Sequence, residues 1–146
     1  MRERSLVLIK PDAVERNLIG KIIDAYESNG LKVIGMRLLK VSRGLAEIHY
    51  KEHHGKGFYD ELIDYITRSP VCAMVLEGEN AISEVRRING STNPELAAPG
   101  TIRKLYAKDK TENSVHASDC QESAEREINL WFPELISNKV LLKQLV

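Results

Sequence analysis

Asn113-Ser114-Val115-His116-Ala117-Ser118-Asp119-Cys120 brings a histidine, hydroxyls and a carboxylate together where a strand should give way to a helix. Ser114 to Ala117 suits a short strand. Ser118 or Asp119 can cap the helix that follows, with Gln121 or Glu122 three residues on completing a capping box. That helix is expected from about Cys120 to Trp131. Its N-terminus offers unpaired backbone N–H groups and a partial positive charge to the neighbouring His116, which favours an anion on or beside that ring. The same residues also read as an ordinary polar strand end. A His/Ser/Asp set adjacent in sequence is no hydrolase triad, whose members converge in space.

Upstream, Arg4 to Lys10 reads as a buried strand stopped by Pro11, leaving Lys10 where a charged side chain can enter a cleft or simply end the strand in solvent. Leu18, Ile22, Ile23 and Tyr26 recur at helical spacing within Asn17 to Ser28, and Asn29-Gly30 supplies a left-handed stop. Leu31 to Val41 is a second strand with Gly35 a candidate bulge, followed by Ser42 as a candidate N-cap. Two helical stretches, about Ser42 to Glu52 and Phe58 to Thr67, flank the loop His53-His54-Gly55-Lys56-Gly57. Those paired histidines lack the Cys or Asp company of a metal site, and Gly-Lys-Gly lacks P-loop spacing. Pro70 opens an apolar third strand, Val71 to Leu76, closed by Gly78. Glu79 to Asn89 is helical and stops at Asn89-Gly90.

Ser91 to Asn113 then carries Pro94, Pro99 and Gly100, with little periodicity beyond a short turn at Ile102 to Tyr106. So long a loop inside a compact domain marks function or disorder. It bears Thr92 and Arg103 and delivers the chain to His116, so function is the reading. The order of elements predicts an α+β fold, a split βαβ arrangement with helices on one face of an antiparallel sheet.

The 146 residues, 42% of them hydrophobic, predict a single domain spanning 1–146. Twenty-one basic residues balance 21 acidic ones, leaving no global field for nucleic acid or an anionic membrane. No segment approaches the roughly 18 apolar residues of a membrane span. Cys72 and Cys120 stand alone without Cys-x-x-Cys spacing, which predicts free thiols in a reducing compartment, hence a cytoplasmic protein. The tail's Val140 to Leu142 and Leu145-Val146 are apolar residues that a lone copy would expose.

Five segments are specific in combination: Leu8-Ile9-Lys10-Pro11-Asp12-Ala13; Tyr50-Lys51-Glu52-His53 with Phe58 and Leu62; Arg86; Thr92-Asn93-Pro94 through Pro99-Gly100-Thr101-Ile102-Arg103; and Asn113 to Asp119 leading to Glu127. In that order they make the chain resemble the nucleoside diphosphate kinase family from end to end. The resemblance implies a ferredoxin-like split βαβ sandwich, its four-stranded antiparallel sheet covered by helices. It implies ping-pong transfer of the γ-phosphate of a nucleoside triphosphate to a nucleoside diphosphate, with little base specificity, and His116 as the nucleophile. Lys10, Tyr50, Asn113, Ser118 and Glu127 complete the implied catalytic set. Arg86, Thr92 and Arg103 fall to the phosphates, Lys10 and Asn113 also to the ribose hydroxyls. Phe58 falls to the base with Leu62 beside it, and Ser118 and Glu127 to orienting the His116 ring. Mg²⁺ would be bound mainly through the nucleotide phosphates, without a protein metal site, and the assembly would be a homo-oligomer, a hexamer before a tetramer. Two positions depart from the family pattern: Ala117 stands where glycine is more usual and Cys120 where serine is.

The chemistry of the residue types agrees. A neutral imidazole has a lone pair at pH 7, and its phosphoramidate keeps enough transfer potential for an easily reversed second step. Phosphoryl transfer asks for donors on the equatorial oxygens. A non-catalytic regulatory module that binds a nucleotide would explain the fold and the basic residues, but it does not require Asn-x-x-His-x-Ser-Asp. A histidine phosphocarrier would take its label from a protein donor.

Overall fold

The computed structural model describes residues 1–135; the apolar tail segments Val140 to Leu142 and Leu145-Val146 lie outside them. The sheet is built from β1 (Arg2–Ile9), β2 (Lys32–Leu39), β3 (Val71–Glu79) and β4 (Val115–Ala117), in the spatial order β2-β3-β1-β4. All three pairings are antiparallel. Each crossover therefore skips one strand, which is the split βαβ topology: β3 lies between β1 and β2, and β1 lies between β3 and β4.

Helices cover both faces of the sheet, not one. The reason is visible in β1 and β3, whose apolar runs have no polar alternate. Val7, Ile9, Cys72, Met74 and Leu76 pack on one side with Ile22 and Tyr26 of α2 (Ile19–Glu27) and Val85 and Ile88 of α5 (Ala81–Asn89). Leu6, Leu8, Val71, Ala73 and Val75 pack on the other. There they meet Ala46 of α3 (Arg43–His49), Ile63 and Ile66 of α4 (Tyr59–Thr67), and Ala124, Ile128 and Trp131 of α7 (Gln121–Trp131). A central strand buried on both faces reads as a continuous apolar run. At about 25 cal/mol per Å² of buried apolar surface, these two layers are the main stabilising contribution.

Other expectations shift for local reasons. Pro11 not only ends β1 but occupies the first turn of a short helix, α1 (Pro11–Glu15), where its missing N–H costs nothing. The helix expected to reach Glu52 ends at His49, and Lys51–His53 tightens into a 3-10 turn. β3 runs through Gly78 to Glu79, because Gly78 is placed for a close approach: a Cβ there would meet Leu31 Cδ2 at 2.9 Å. Ser42 caps α3 by accepting from Leu45 N–H at 3.1 Å, and the β2–β3 register slips between Val33 and Gly35, beside the expected bulge. The turn at Ile102–Tyr106 is a helix, α6, capped by the Thr101 hydroxyl. Gly90, at φ +85°, closes α5 and lies so near Thr101 that a Cβ would meet its Oγ1 at 2.5 Å.

Candidate active site

Strand alternation decides which way the nucleophile candidate faces. Val115 and Ala117 join the layer of α2 and α5, so His116 between them faces the opposite layer, towards α3 and α7. His116 Nε2 stands 3.0 Å from Glu127 Oε1, and the Ser118 hydroxyl donates to the same oxygen at 2.8 Å. Leu6 N–H in turn donates to Ser118 Oγ at 3.1 Å, so the pair is pinned to β1. A carboxylate oxygen accepts, hence the hydrogen-bond network places the proton of the neutral ring on Nε2 and leaves the lone pair on Nδ1. This use of Ser118 also corrects the capping expectation. Cys120 occupies the N-cap position without a side-chain cap bond, and α7 begins at Gln121.

A cleft of about 640 Å³ opens at this place, within the size range of small-molecule sites. Five cations line it, among them Lys10 from the end of β1, Arg86 from α5 and Arg103 from α6, with Lys110 and Arg126 beside them. Tyr50, Thr92 and Asn113 supply neutral polar groups, while Phe58 and Leu62 form an apolar rim. His116 and Glu127 complete the wall. Ser118, fully buried behind Glu127, is the sequence-predicted residue that does not line it. Phe58 is 48% exposed, so its ring stands outside the core, while Leu62, half-buried, packs on the inner layer.

The electrostatics suit an anion. Lys10 is 7% exposed, and burial, with the Arg103 charge adding to it, pushes its ammonium down to about 7. Burial also lowers Arg103, and Arg86 adds to the effect. The carboxylates of the cleft are already engaged. Glu127 serves Ser118 and His116, Glu52 accepts from Arg126 Nη1 at 2.6 Å, and Asp119 is held below its usual range by the Ser123 hydroxyl. Burial raises the Tyr50 phenol, keeping it a neutral donor, and its Oη and Arg103 Nε are buried without a hydrogen-bond partner among the described residues. Unmet buried donors of this kind are costly and call for a ligand or a water.

Arg103 also ties the site together. Its Nη1 donates to Gly90 O and its Nη2 to Val115 O, both at 2.8 Å, linking the end of α5 to β4. Lys10 Nζ donates to Asn113 Oδ1 at 2.9 Å.

Sequence reading missed His49, which Trp131 Nε1 fixes by donating to its Nδ1 at 3.1 Å. Burial and the neighbouring His116 and Lys10 hold His49 well below the ordinary histidine range, so it stays neutral. It stands edge-on to the His116 ring, centroids 4.7 Å apart. Its signal was a histidine three residues after Ala46, on the buried stripe of α3. His49, His116 and Glu127 bring potential metal-ligating atoms within 4.8 Å of one another, yet hydrogen bonds engage all three groups. The His49 Nδ1 lone pair faces an N–H, and Glu127 Oε1 accepts twice. The trio reads as a positioning network.

The profile of the family described as nucleoside diphosphate kinase matches residues 3–136. The chain is 58% identical over 138 residues to the nucleoside diphosphate kinase of Clostridium perfringens strain SM101, covering 94% of this chain and 96% of that one. The Aquifex aeolicus nucleoside diphosphate kinase superposes with TM-score 0.88 at 39% identity, covering 90% and 96% of the two chains. The halophilic enzyme of Halobacterium salinarum, solved in complex with CDP, gives 0.87 at 45% identity, covering 90% and 88%. The chain therefore belongs to the nucleoside diphosphate kinase family, phosphotransferases that move the terminal phosphate of a nucleoside triphosphate to a nucleoside diphosphate through a histidine.

Proposed function

We propose that residues 1–146 act as one catalytic domain in which Nδ1 of His116 carries the phosphoryl group. The observation that supports this most directly is the Nε2–Glu127 hydrogen bond, which leaves the Nδ1 lone pair free in a cleft walled by Lys10, Arg86 and Arg103. In the first half-reaction Nδ1 attacks the γ-phosphorus. An N–P bond forms, the bond to the β–γ bridging oxygen breaks, and the diphosphate leaves with that electron pair. The positive charge gained by the ring faces Glu127. In the second half a β-phosphate oxygen of the acceptor attacks the same phosphorus, and the N–P electrons return to Nδ1.

Arg86, Arg103, Thr92, Lys10 and the Tyr50 hydroxyl offer donors to the phosphates, and Lys10 and Asn113 reach the ribose hydroxyls. Phe58 stacks on the base with Leu62 beside it. Ser118 and Glu127 orient the ring. Mg²⁺ would be held mainly by the nucleotide's own phosphate oxygens, which suits a cleft whose carboxylates are engaged elsewhere, and it would draw off phosphate charge there.

The substrates are nucleoside di- and triphosphates of any base, ATP, ADP, GTP and GDP among them; the CDP bound by the Halobacterium relative supports a diphosphate ligand. The two cysteines are free, which supports a cytoplasmic setting, and no helix among the described residues is long and apolar enough to cross a membrane. Neither nucleic acid nor membrane is a partner in this reading. A homo-oligomer, a hexamer before a tetramer, is supported by exposed Leu96 and Leu105 around the long loop and exposed Met36 and Leu38 on β2.

Incubation with γ-labelled ATP and Mg²⁺ followed by a GDP chase tests the whole reading. The expected result is an acid-labile, base-stable label on His116 that GDP removes as GTP. Label acquired equally by His116→Ala sinks it, and a label that only a protein donor delivers favours a phosphocarrier instead.

A further inference from the structure

Ser114 holds a backbone conformation that residues other than glycine seldom adopt. Its φ is +72°, and Val115 N–H donates to Asn113 O at 2.9 Å across it. Asn113 to Val115 is therefore a γ-turn of the rarer, strained hand, whose central φ lies near about +75°. Such backbone persists only where the surroundings over-determine it, and it clusters at functional sites.

Here the surroundings converge on one carboxylate. Asp12 of α1, 2% exposed, accepts from Ser114 N–H at 3.2 Å on Oδ1 and from the Ser114 hydroxyl at 3.0 Å on Oδ2. The carboxylate is itself held on both oxygens, since Tyr65 Oη of α4 donates to Oδ1 and Arg16 Nη2, just past the end of α1, donates to Oδ2 at 3.0 Å. Lys10 N–H grips the turn's third polar group, donating to Ser114 O at 2.8 Å. Glycine would take this φ freely but would give Asp12 no hydroxyl to hold. Serine accepts the strain and supplies the handle.

What the turn carries explains why strain is tolerated there. On one side Asn113 Oδ1 receives Lys10 Nζ, and on the other Val115 O receives Arg103 Nη2 and leads into His116. Relaxation of Ser114 to an ordinary negative φ would swing Asn113 away from its present relation to His116. Asp12, Arg16, Tyr65 and Ser114 do not themselves line the cleft.

We propose that Asp12 is a positioning residue for phosphoryl transfer: its carboxylate, anchored by Tyr65 and Arg16, clamps the Ser114 γ-turn and so sets Asn113 and His116 against one bound nucleotide. The proposal rests on His116 as the phosphoryl carrier.

The test compares Asp12→Ala, Asp12→Asn and the double variant Asp12→Ala/Ser114→Gly with the parent. It follows single-turnover labelling of His116 by ATP, ADP affinity and the thermal midpoint. Asp12→Ala is expected to slow labelling at least about tenfold, more than it weakens ADP, because the loss falls on alignment in the transfer step. Asp12→Asn keeps one acceptor oxygen and falls between. Adding Ser114→Gly to Asp12→Ala should recover part of the rate, since glycine takes the turn unaided; a merely structural role for Asp12 would show no such rescue. A folded Asp12→Ala protein labelled within about twofold of the parent overturns the proposal. If Asp12→Ala does not fold, Ser114→Ala decides: removing the hydroxyl contact should slow labelling about threefold in a protein that still folds, and no slowing overturns the clamp. A parent that takes no label on His116 defeats the carrier reading, whereas a labelled parent with an equally fast Asp12→Ala defeats only the clamp.

Discussion

Lys10 shows at the scale of one residue how a site is built at the expense of stability. Its ammonium sits at about 7 in the folded chain, against about 10.4 for an unfolded lysine. Between those two values the unfolded chain holds a proton that the folded chain lacks, so this group makes stability rise with pH across that window. Below it both states are charged and the full cost of the buried ammonium is present. Lys10→Met, of similar volume, removes the cost. The variant should melt higher than the parent at about pH 6, with the gap closing towards about pH 10, while losing most phosphate affinity. Melting curves at the two pH values check this, and a parent more stable at the lower pH would contradict it. Cys120 is the opposite case, exposed at the cap of α7 with its Sγ 3.3 Å from Ser123 Oγ and absent from the cleft wall. Cys120→Ser keeps a polar group in that place, so steady-state turnover should change less than about threefold, well under the roughly 1.4 kcal/mol of a tenfold effect.

At the scale of elements, the loop between α3 and α4 would supply the base platform under the proposed function. Phe58 offers an exposed ring face in the cleft, and stacking accepts the π-face of any base. Steady-state kcat/KM for purine and pyrimidine diphosphates should therefore differ by far less than a thousandfold, a ratio that needs a polar group left unpaired by the wrong base. Phe58→Ala should raise KM for all of them together. A loss confined to one base would argue against stacking. What was legible in the sequence follows the same local logic. The apolar runs of β1 and β3, the Ser42 cap and the Asn29-Gly30 and Asn89-Gly90 stops are decided by near neighbours, and they stand where the sequence put them. The cleft residues were legible through a motif spread over the chain. Covering of both sheet faces was not, because a continuous apolar run states that both sides are buried without naming what buries them. His49 and Asp12 were missed for a related reason: their partners, Trp131 and Ser114, lie 82 and 102 positions away and are joined only by the fold.

For the molecule as a whole, the sheet's β2 edge is uncovered among the described residues. β2 is an edge strand eight residues long, and on it Met36 is 57% and Leu38 61% exposed. A long edge with apolar side chains is a template for pairing unless something blunts or covers it. Leu96 lies within the segment that carries Thr92 and Arg103 into the cleft and Leu105 just after it, and they are 75% and 60% exposed. Subunit contacts on these surfaces would bury apolar area and hold the long loop in its binding form at once, so assembly and activity should be coupled. The expected outcome is a homo-oligomer in sedimentation at micromolar concentration, with a thermal midpoint that rises with protein concentration. Replacing Met36 and Leu38 together with lysine should give smaller species and lower the midpoint, since two charges would then face the contact. An active monomer at the same concentration, with a midpoint independent of dilution, would show that these apolar side chains have no partner and that the loop orders itself.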